Sequence, residues 1–226
     1  MEIHQLKLYS KNLSRQLRFY RDVLGFKTRK ENDQQIQLEA GATELIFEKN
    51  NRGFYYHFAF LIPNQKIEEA IAFVEDKGIA LLLHEGHKII DFGSGQAIYF
   101  YDEDGNIVEF IQRPTLNYEA DALFSVEQVV KINEIGLPVE DTLSMSKRLI
   151  EQFGIRLIDP NALSPVFCWV GDHNGVIIVV KEGRHWLPTE QPGIVNDFEM
   201  KFEAGGQWYF VRFEDNEIHS EEVPPI

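Results

Sequence analysis

Three stretches of the sequence lie over one another without a gap: "IHQLKLYSKNLSRQLRFYRDVLGFK" from Ile3, "YHFAFLIPNQKIEEAIAFVEDKGIA" from Tyr56 and "INEIGLPVEDTLSMSKRLIEQFGIR" from Ile132. Each reads strand, short polar turn, helix, glycine, strand. In all three, the glycine comes 21 positions after the second residue: His4 to Gly25, His57 to Gly78, Asn133 to Gly154. Self-similarity at fixed spacing marks a repeated supersecondary unit, and it restricts the fold more than any single motif.

The helices follow their own rules. In the first, Leu13, Leu17, Tyr20 and Leu24 recur at three- and four-residue steps, while Lys11, Arg15, Arg18 and Asp22 take the other side. Asn12 is placed to cap it. Gly25 and Gly78 sit where a helix ends in a left-handed residue, which a side chain would oppose. Strand-like segments follow each glycine: "IQLEA" and "ELIFEK" in the first copy, "ALLLHEG", "QAIYFYDED" and "NIVEFIQ" in the second. "DEDGN" reads as a tight hairpin turn. Each unit is thus β-α-β-β-β and leaves one sheet face uncovered.

After its helix the third copy has "VFCWVG", "GVIIVVKEG", a loop around "HWLPTEQPG", and a tail "DFEMKFEAGGQWYFVRFEDNEI" that reads as strands without room for a helix. The expected fold class is α+β, with paired βαβββ units forming a curved, cleft-bearing mixed sheet and a degenerate further unit. The polar stretch 115–128 is the expected linker. It divides a two-unit cleft domain, 1–114, from a degenerate domain, 129–226, which covers the first or offers a homodimer surface.

Composition removes several classes of function. With 22 Lys and Arg against 36 Asp and Glu, the formal charge of -14 repels nucleic-acid phosphates and anionic membranes. The single cysteine, Cys168, cannot form an intrachain disulfide. Met1 opens no charged-then-apolar leader, and no apolar run approaches about 18 residues. A cytoplasmic protein with a small-molecule substrate is expected.

Within "FYYHFAFLIP" the odd residue is His57, because an unpaired imidazole is costly to bury in so apolar a strand. The repeat gives it a counterpart, His4. If the first two units pack about a pseudo-twofold axis, the two imidazoles face one cleft, which is a metal-site geometry. Glu109, which interrupts the apolar strand "NIVEFIQ", supplies the third donor. One divalent transition metal (Fe, Mn, Ni, Co or Zn) is therefore expected, with open positions for a substrate carrying two adjacent oxygens.

The segments from "IHQLKLYS" to "VLGF", from "HFAFLIP" to "FVEDKG", and "YFYDEDGNIVEF" resemble the vicinal oxygen chelate superfamily of glyoxalases, epimerases, extradiol dioxygenases and bleomycin-resistance proteins. The resemblance covers residues 1 to about 113 well and 131 to about 182 weakly. It implies ligands on the first and last strands of each unit, carried here by His4, His57 and Glu109. On the fourth strand, "TELIFEK", Glu44 and Glu48 share a face, and either would be a fourth ligand or a catalytic base.

Three functions follow. The first is a lyase, isomerase or epimerase of the glyoxalase type, with Glu44 or Glu48 as base. The second is an Fe(II) extradiol dioxygenase, whose signature tyrosine matches Tyr99, although Glu103 stands where that signature has proline and His87 lies too far back. The third is metal-free drug binding between Tyr55, Tyr99 and Tyr101. His84 and His87 are expected at the rim, with His84 touching substrate, and "DFGSGQ" as a hairpin over the cleft. The glyoxalase type is the leading expectation. The third unit, with Asn133 in place of histidine, is expected to hold no metal ligand.

Overall fold

The computed structural model describes residues 1–225. The first repeat unit contains β1 (Glu2–Ser10), α1 (Leu13–Leu17, continued as a π-helical stretch over Arg18–Leu24), β2 (Thr28–Glu31), β3 (Gln35–Ala40) and β4 (Thr43–Lys49). The second contains β5 (His57–Leu61), α2 (Ile67–Asp76), β6 (Leu81–Leu82), β7 (Ile90–Asp91), β8 (Gln96–Tyr101) and β9 (Ile107–Gln112). The third is β10 (Lys131–Val139), α3 (Thr142–Phe153), β11 (Phe167–Asp172) and β12 (Gly175–Lys181). Three helix-free strands follow: β13 (Phe198–Ala204), β14 (Gln207–Glu214) and β15 (Glu217–Glu222).

The local signals act as their chemistry requires. Asn12 caps α1 by accepting from the Arg15 backbone N–H at 3.2 Å. Gly25, Gly78 and Gly154 close the three helices at φ of 95°, 74° and 65°, a region that disfavours a Cβ. In "DEDGN" the Asp102 carboxylate accepts from the backbones of Asp104 and Asn106 and from the Asn106 side chain. It reaches α1 as well, through Gln16 at 2.8 Å and the Tyr20 hydroxyl at 2.9 Å. Asn106 in turn accepts from the Tyr56 backbone at 2.8 Å. The turn therefore fastens the second unit to the first.

Two mixed sheets result, and each takes strands from both sides of the 115–128 segment. One runs β15-β14-β13-β1-β4-β3-β2. The other runs β11-β12-β10-β5-β9-β8-β6, with β7 on β8. At their centres β1 pairs antiparallel with β13, and β5 with β10. This corrects the expectation that residues 1–114 build one cleft by themselves: β1 and β5 lie in different sheets. Leu6 and Leu8 of β1 and Phe58 and Phe60 of β5 instead enter one core with the apolar faces of the three helices. The outer face of the β5–β10 sheet carries a second apolar cluster that includes Ala59, Leu61, Ile107, Ile111, Ile178 and Trp186.

Candidate metal centre

β5 is buried on both faces, with Phe58 and Phe60 in the main core and His57, Ala59 and Leu61 on the outer face. Its parallel neighbour β9 places Glu109 beside Ala59, and β8 places Tyr99 opposite Glu109. On the other side, β10 has a bulge at Asn133 that shifts the alternation by one residue and sets Glu134 opposite Ala59. His57, Glu109 and Glu134, all buried, thus offer ligand atoms that lie within 4.8 Å of one another.

The donor set fits a divalent ion. His57 Nδ1 lies 3.3 Å from the Ile107 carbonyl oxygen, which can only accept, so this contact places the imidazole hydrogen on Nδ1 and frees Nε2. Nε2 faces Glu109 Oε2 at 3.3 Å, an approach that either a proton on Nε2 or a metal cation between the two satisfies. The other oxygen, Oε1, is buried without any hydrogen-bond partner. Burial first, and then the nearby Glu109 charge, push the Glu134 carboxyl upward, with Arg113 acting in the opposite direction. The spread of 4.8 Å is close to twice the roughly 2.0–2.2 Å of a metal–oxygen or metal–nitrogen bond, so side-chain shifts of a few tenths of an ångström would bring all three to one ion.

Around this triad lies a second tier of contacts. Arg113, just beyond β9, pairs with Glu134 and donates to Asn133 Oδ1 at 2.7 Å. Asn133 is held on its other side by the His173 carbonyl at 2.8 Å. Burial raises the Tyr99 phenol well above its ordinary range, and the Glu109 charge adds to this, so Tyr99 remains a neutral donor. Trp186, on the segment joining β12 to β13, lies over His57 with ring centroids 4.9 Å apart. Gly136 makes room for it, since a Cβ there would come within 2.6 Å of the indole. The cavity measures about 250 Å³ and is walled by Phe92, Phe167, Trp169 and Trp186.

Of the residues singled out in the sequence, His57, Glu109 and Tyr99 are brought together. His4 is not with them. It occupies the bulge of β1 in the other sheet, stacked on Trp208 at 4.2 Å, with burial lowering its pKa. Glu44 and Glu48 also lie on that sheet, hydrogen-bonded to Gln5 and Lys7. Tyr55 donates to the Pro192 carbonyl and pins the crossing segment, outside the cavity wall. Tyr101 lies at the exposed end of β8, and His84 pairs with His87 across a tight turn; neither lines the cavity. The "DFGSGQ" hairpin does line it, through Phe92 and Ser94.

Glu134 was not expected, and the third unit does contribute to the cluster. Its one signal was an acid inside the apolar run "INEIGLPV"; the repeat pointed to Asn133 because a bulge leaves no mark on residue spacing. Arg113, Arg184 and Trp186 sit just beyond strands, where periodicity carries no information.

The model of the Glyoxalase/Bleomycin resistance protein/Dioxygenase superfamily matches residues 2–110. A catechol-2,3-dioxygenase of Bacillus subtilis (strain 168) is 34% identical over 128 residues, covering 51% of this chain and 43% of that protein. The match thus spans less than half the length of that relative. Over its whole length the chain shares the fold of the crystal structure of a putative dioxygenase from Bacillus subtilis subsp. subtilis str. 168, with a TM-score of 0.66 and 14% identity, covering 100% of this chain and 86% of that one. Residues 2–110, which carry His57 and Glu109, are thus similar to the Glyoxalase/Bleomycin resistance protein/Dioxygenase superfamily.

Proposed function

We propose that the chain is a metal-dependent enzyme acting on a small substrate with two adjacent oxygens, and that its reaction is ring opening of a dihydroxylated aromatic by dioxygen. The observation that carries this reading is the donor count: three protein atoms converge, and Glu44 and Glu48, which would have made a fourth, lie on the other sheet. Bound by His57, Glu109 and Glu134, a divalent ion such as Fe or Mn would supply the Lewis acid that gathers two substrate oxygens, and three protein donors leave room for dioxygen as co-substrate.

The chain's own residues do the remaining work. The Ile107 carbonyl fixes the His57 ring, while Arg113 and Asn133 fix Glu134. Tyr99 is a neutral O–H donor beside Glu109, suited to a substrate oxygen. Phe167, Trp169 and Trp186 offer flat apolar surface to a ring and exclude water from the buried acids. The similarity to a catechol-2,3-dioxygenase supports the same class of substrate.

One observation favours a second reading. One imidazole and two carboxylates form a harder donor set than the two imidazoles and one carboxylate of iron oxygenases, and suit an oxygen-preferring ion doing proton-transfer chemistry of the lyase, isomerase or epimerase type. Anaerobic reconstitution with Fe(II) or Mn(II), followed by catechol and oxygen, separates the two. Oxygen uptake with a ring-cleavage chromophore is expected, falling on the order of 100-fold or more in His57→Ala and staying within about twofold in His4→Ala and Glu44→Gln. Proton exchange on a hemithioacetal without oxygen uptake would move the assignment to the second reading. Activity that follows His4 or Glu44 would overturn the site.

A further inference from the structure

The cavity has a charged group at its mouth that the proposed chemistry does not use. His57, Glu109, Glu134 and Arg113 form the buried end, whereas Arg184 and Leu187 are partly exposed. Arg184 packs its guanidinium over the Phe167 ring at 4.8 Å and donates from Nη1 to the His185 carbonyl at 3.1 Å. Among the described residues no carboxylate pairs with it, and burial alone lowers its pKa. Of the two acids on the same segment, Glu190 is engaged by His185 at 3.0 Å, and the exposed Glu182 makes no ion pair with Arg184.

In a chain with 36 acids and 22 bases, a half-buried arginine without an acid is conspicuous. The other arginines that lack an ion pair, Arg15, Arg18 and Arg156, are exposed on the surface. The backbone of Arg184 is held in place: its N–H donates to the Lys181 carbonyl at 3.0 Å, and its carbonyl accepts from Gly193 at 2.7 Å. The segment is docked further by Gln191 on the Gly105 carbonyl at 3.2 Å. A fixed guanidinium with free N–H groups, facing an aromatic-walled cavity, suits a planar carboxylate that it can grip with two parallel bonds.

We propose that Arg184 binds a carboxylate on the substrate, and that the substrate is therefore a single-ring aromatic acid. This deepens the function proposed above and rests on it for the oxygens at the buried end. The volume agrees: about 250 Å³ lies below the roughly 300–1,000 Å³ of pockets for drug-sized ligands, and leaves room for one ring and little more. Arg113 cannot take the same role, because Glu134 and Asn133 already occupy it.

The test is an anaerobic titration of tryptophan fluorescence, since Trp169 and Trp186 line the cavity. The ligands are 3,4-dihydroxybenzoate, 4-methylcatechol, benzoate and benzyl alcohol. The proteins are wild type, Arg184→Met and Arg184→Lys, each loaded with Mn(II) and also treated with chelator. In wild type each acid should bind about tenfold more tightly than its neutral partner, less so at high salt. In Arg184→Met the preference should fall to within about twofold, with Arg184→Lys in between, while 4-methylcatechol affinity is kept and reports an intact fold. A preference that is absent in wild type, or unchanged in Arg184→Met, overturns the assignment. Failure of the metal reading looks different: the dihydroxy compound would gain nothing over benzoate, while the preference for acids stayed dependent on Arg184.

Discussion

His4 and His57 hold the same place in the repeat, and the two sheets they occupy have taken opposite courses. Around His57 the outer face is apolar and aromatic, and of its two buried acids only Glu134 pairs with an arginine, Arg113. Around His4 the outer face is a lattice of paired polar groups: Gln5 with Glu44 at 2.6 Å, Lys7 with Glu199 at 2.8 Å, and Arg212 with Glu199 at 3.2 Å. Where Glu134 stands after the bulge of β10, Gln5 stands after the bulge of β1. A histidine therefore does not make the site. What sets the β5–β10 face apart among the described residues is that two fully buried carboxylates, Glu109 and Glu134, converge on the histidine, with one arginine on Glu134.

The largest difference in stability should come from the ion pairs of the two faces. Arg113 and Glu134 are 3% and 4% exposed, so Arg113→Met leaves the buried Glu134 carboxylate without its cation and should cost about 3–5 kcal/mol in urea unfolding. A cost near zero would mean that Glu134 sheds its charge at little expense, and the contrast between the faces would weaken.

A second contrast lies in the turns that join the last two strands of the first two units. Between β3 and β4, Gly41 at φ 61° has no room for a side chain, since a Cβ would meet the Val130 carbonyl oxygen at 2.1 Å. Between β8 and β9 the turn is held by Asp102, whose carboxyl burial pushes from 3.8 up to about 6. A carboxyl raised in the folded state stabilises fully below its unfolded value, and that contribution is lost as pH rises through about 6. Relative to Asp102→Asn, wild type should thus lose up to about 3 kcal/mol between pH 4 and 7, at roughly 1.4 kcal/mol per pH unit. Parallel pH curves for the two proteins would show the turn to be electrostatically neutral.

The smallest effect belongs to the His4 face. Lys7 and Glu199 are 17% and 10% exposed and share partners with Tyr9 and Arg212, so Lys7→Met should cost only about 1 kcal/mol or less and leave metal binding untouched. A loss comparable to that of Arg113→Met would erase the distinction between the faces.

The repeat made the units legible because helix periodicity, the capping asparagine and the glycines after helices are local signals. His57 and Glu109 were legible as polar residues in apolar strands. Two things were not. Which first strand pairs with which is decided by the closing of a shared core, and β1, β5 and β10 carry similar strand signals on their own. Glu134 faces the cleft only because of the bulge at Asn133, which depends on the pairing of β10 with β5. The family model could not supply it either, since Glu134 lies beyond the matched residues 2–110.

The central claim is that divalent metal belongs to the β5–β10 face and not to the histidine shared by the repeat. Crystals soaked in Mn(II) and measured for anomalous scattering test it directly. The account predicts one strong peak within bonding distance of His57 Nε2, Glu109 and Glu134, lost in Glu134→Ala and kept in His4→Ala. A peak beside His4 and Trp208, or one that survives Glu134→Ala at full strength, would contradict it.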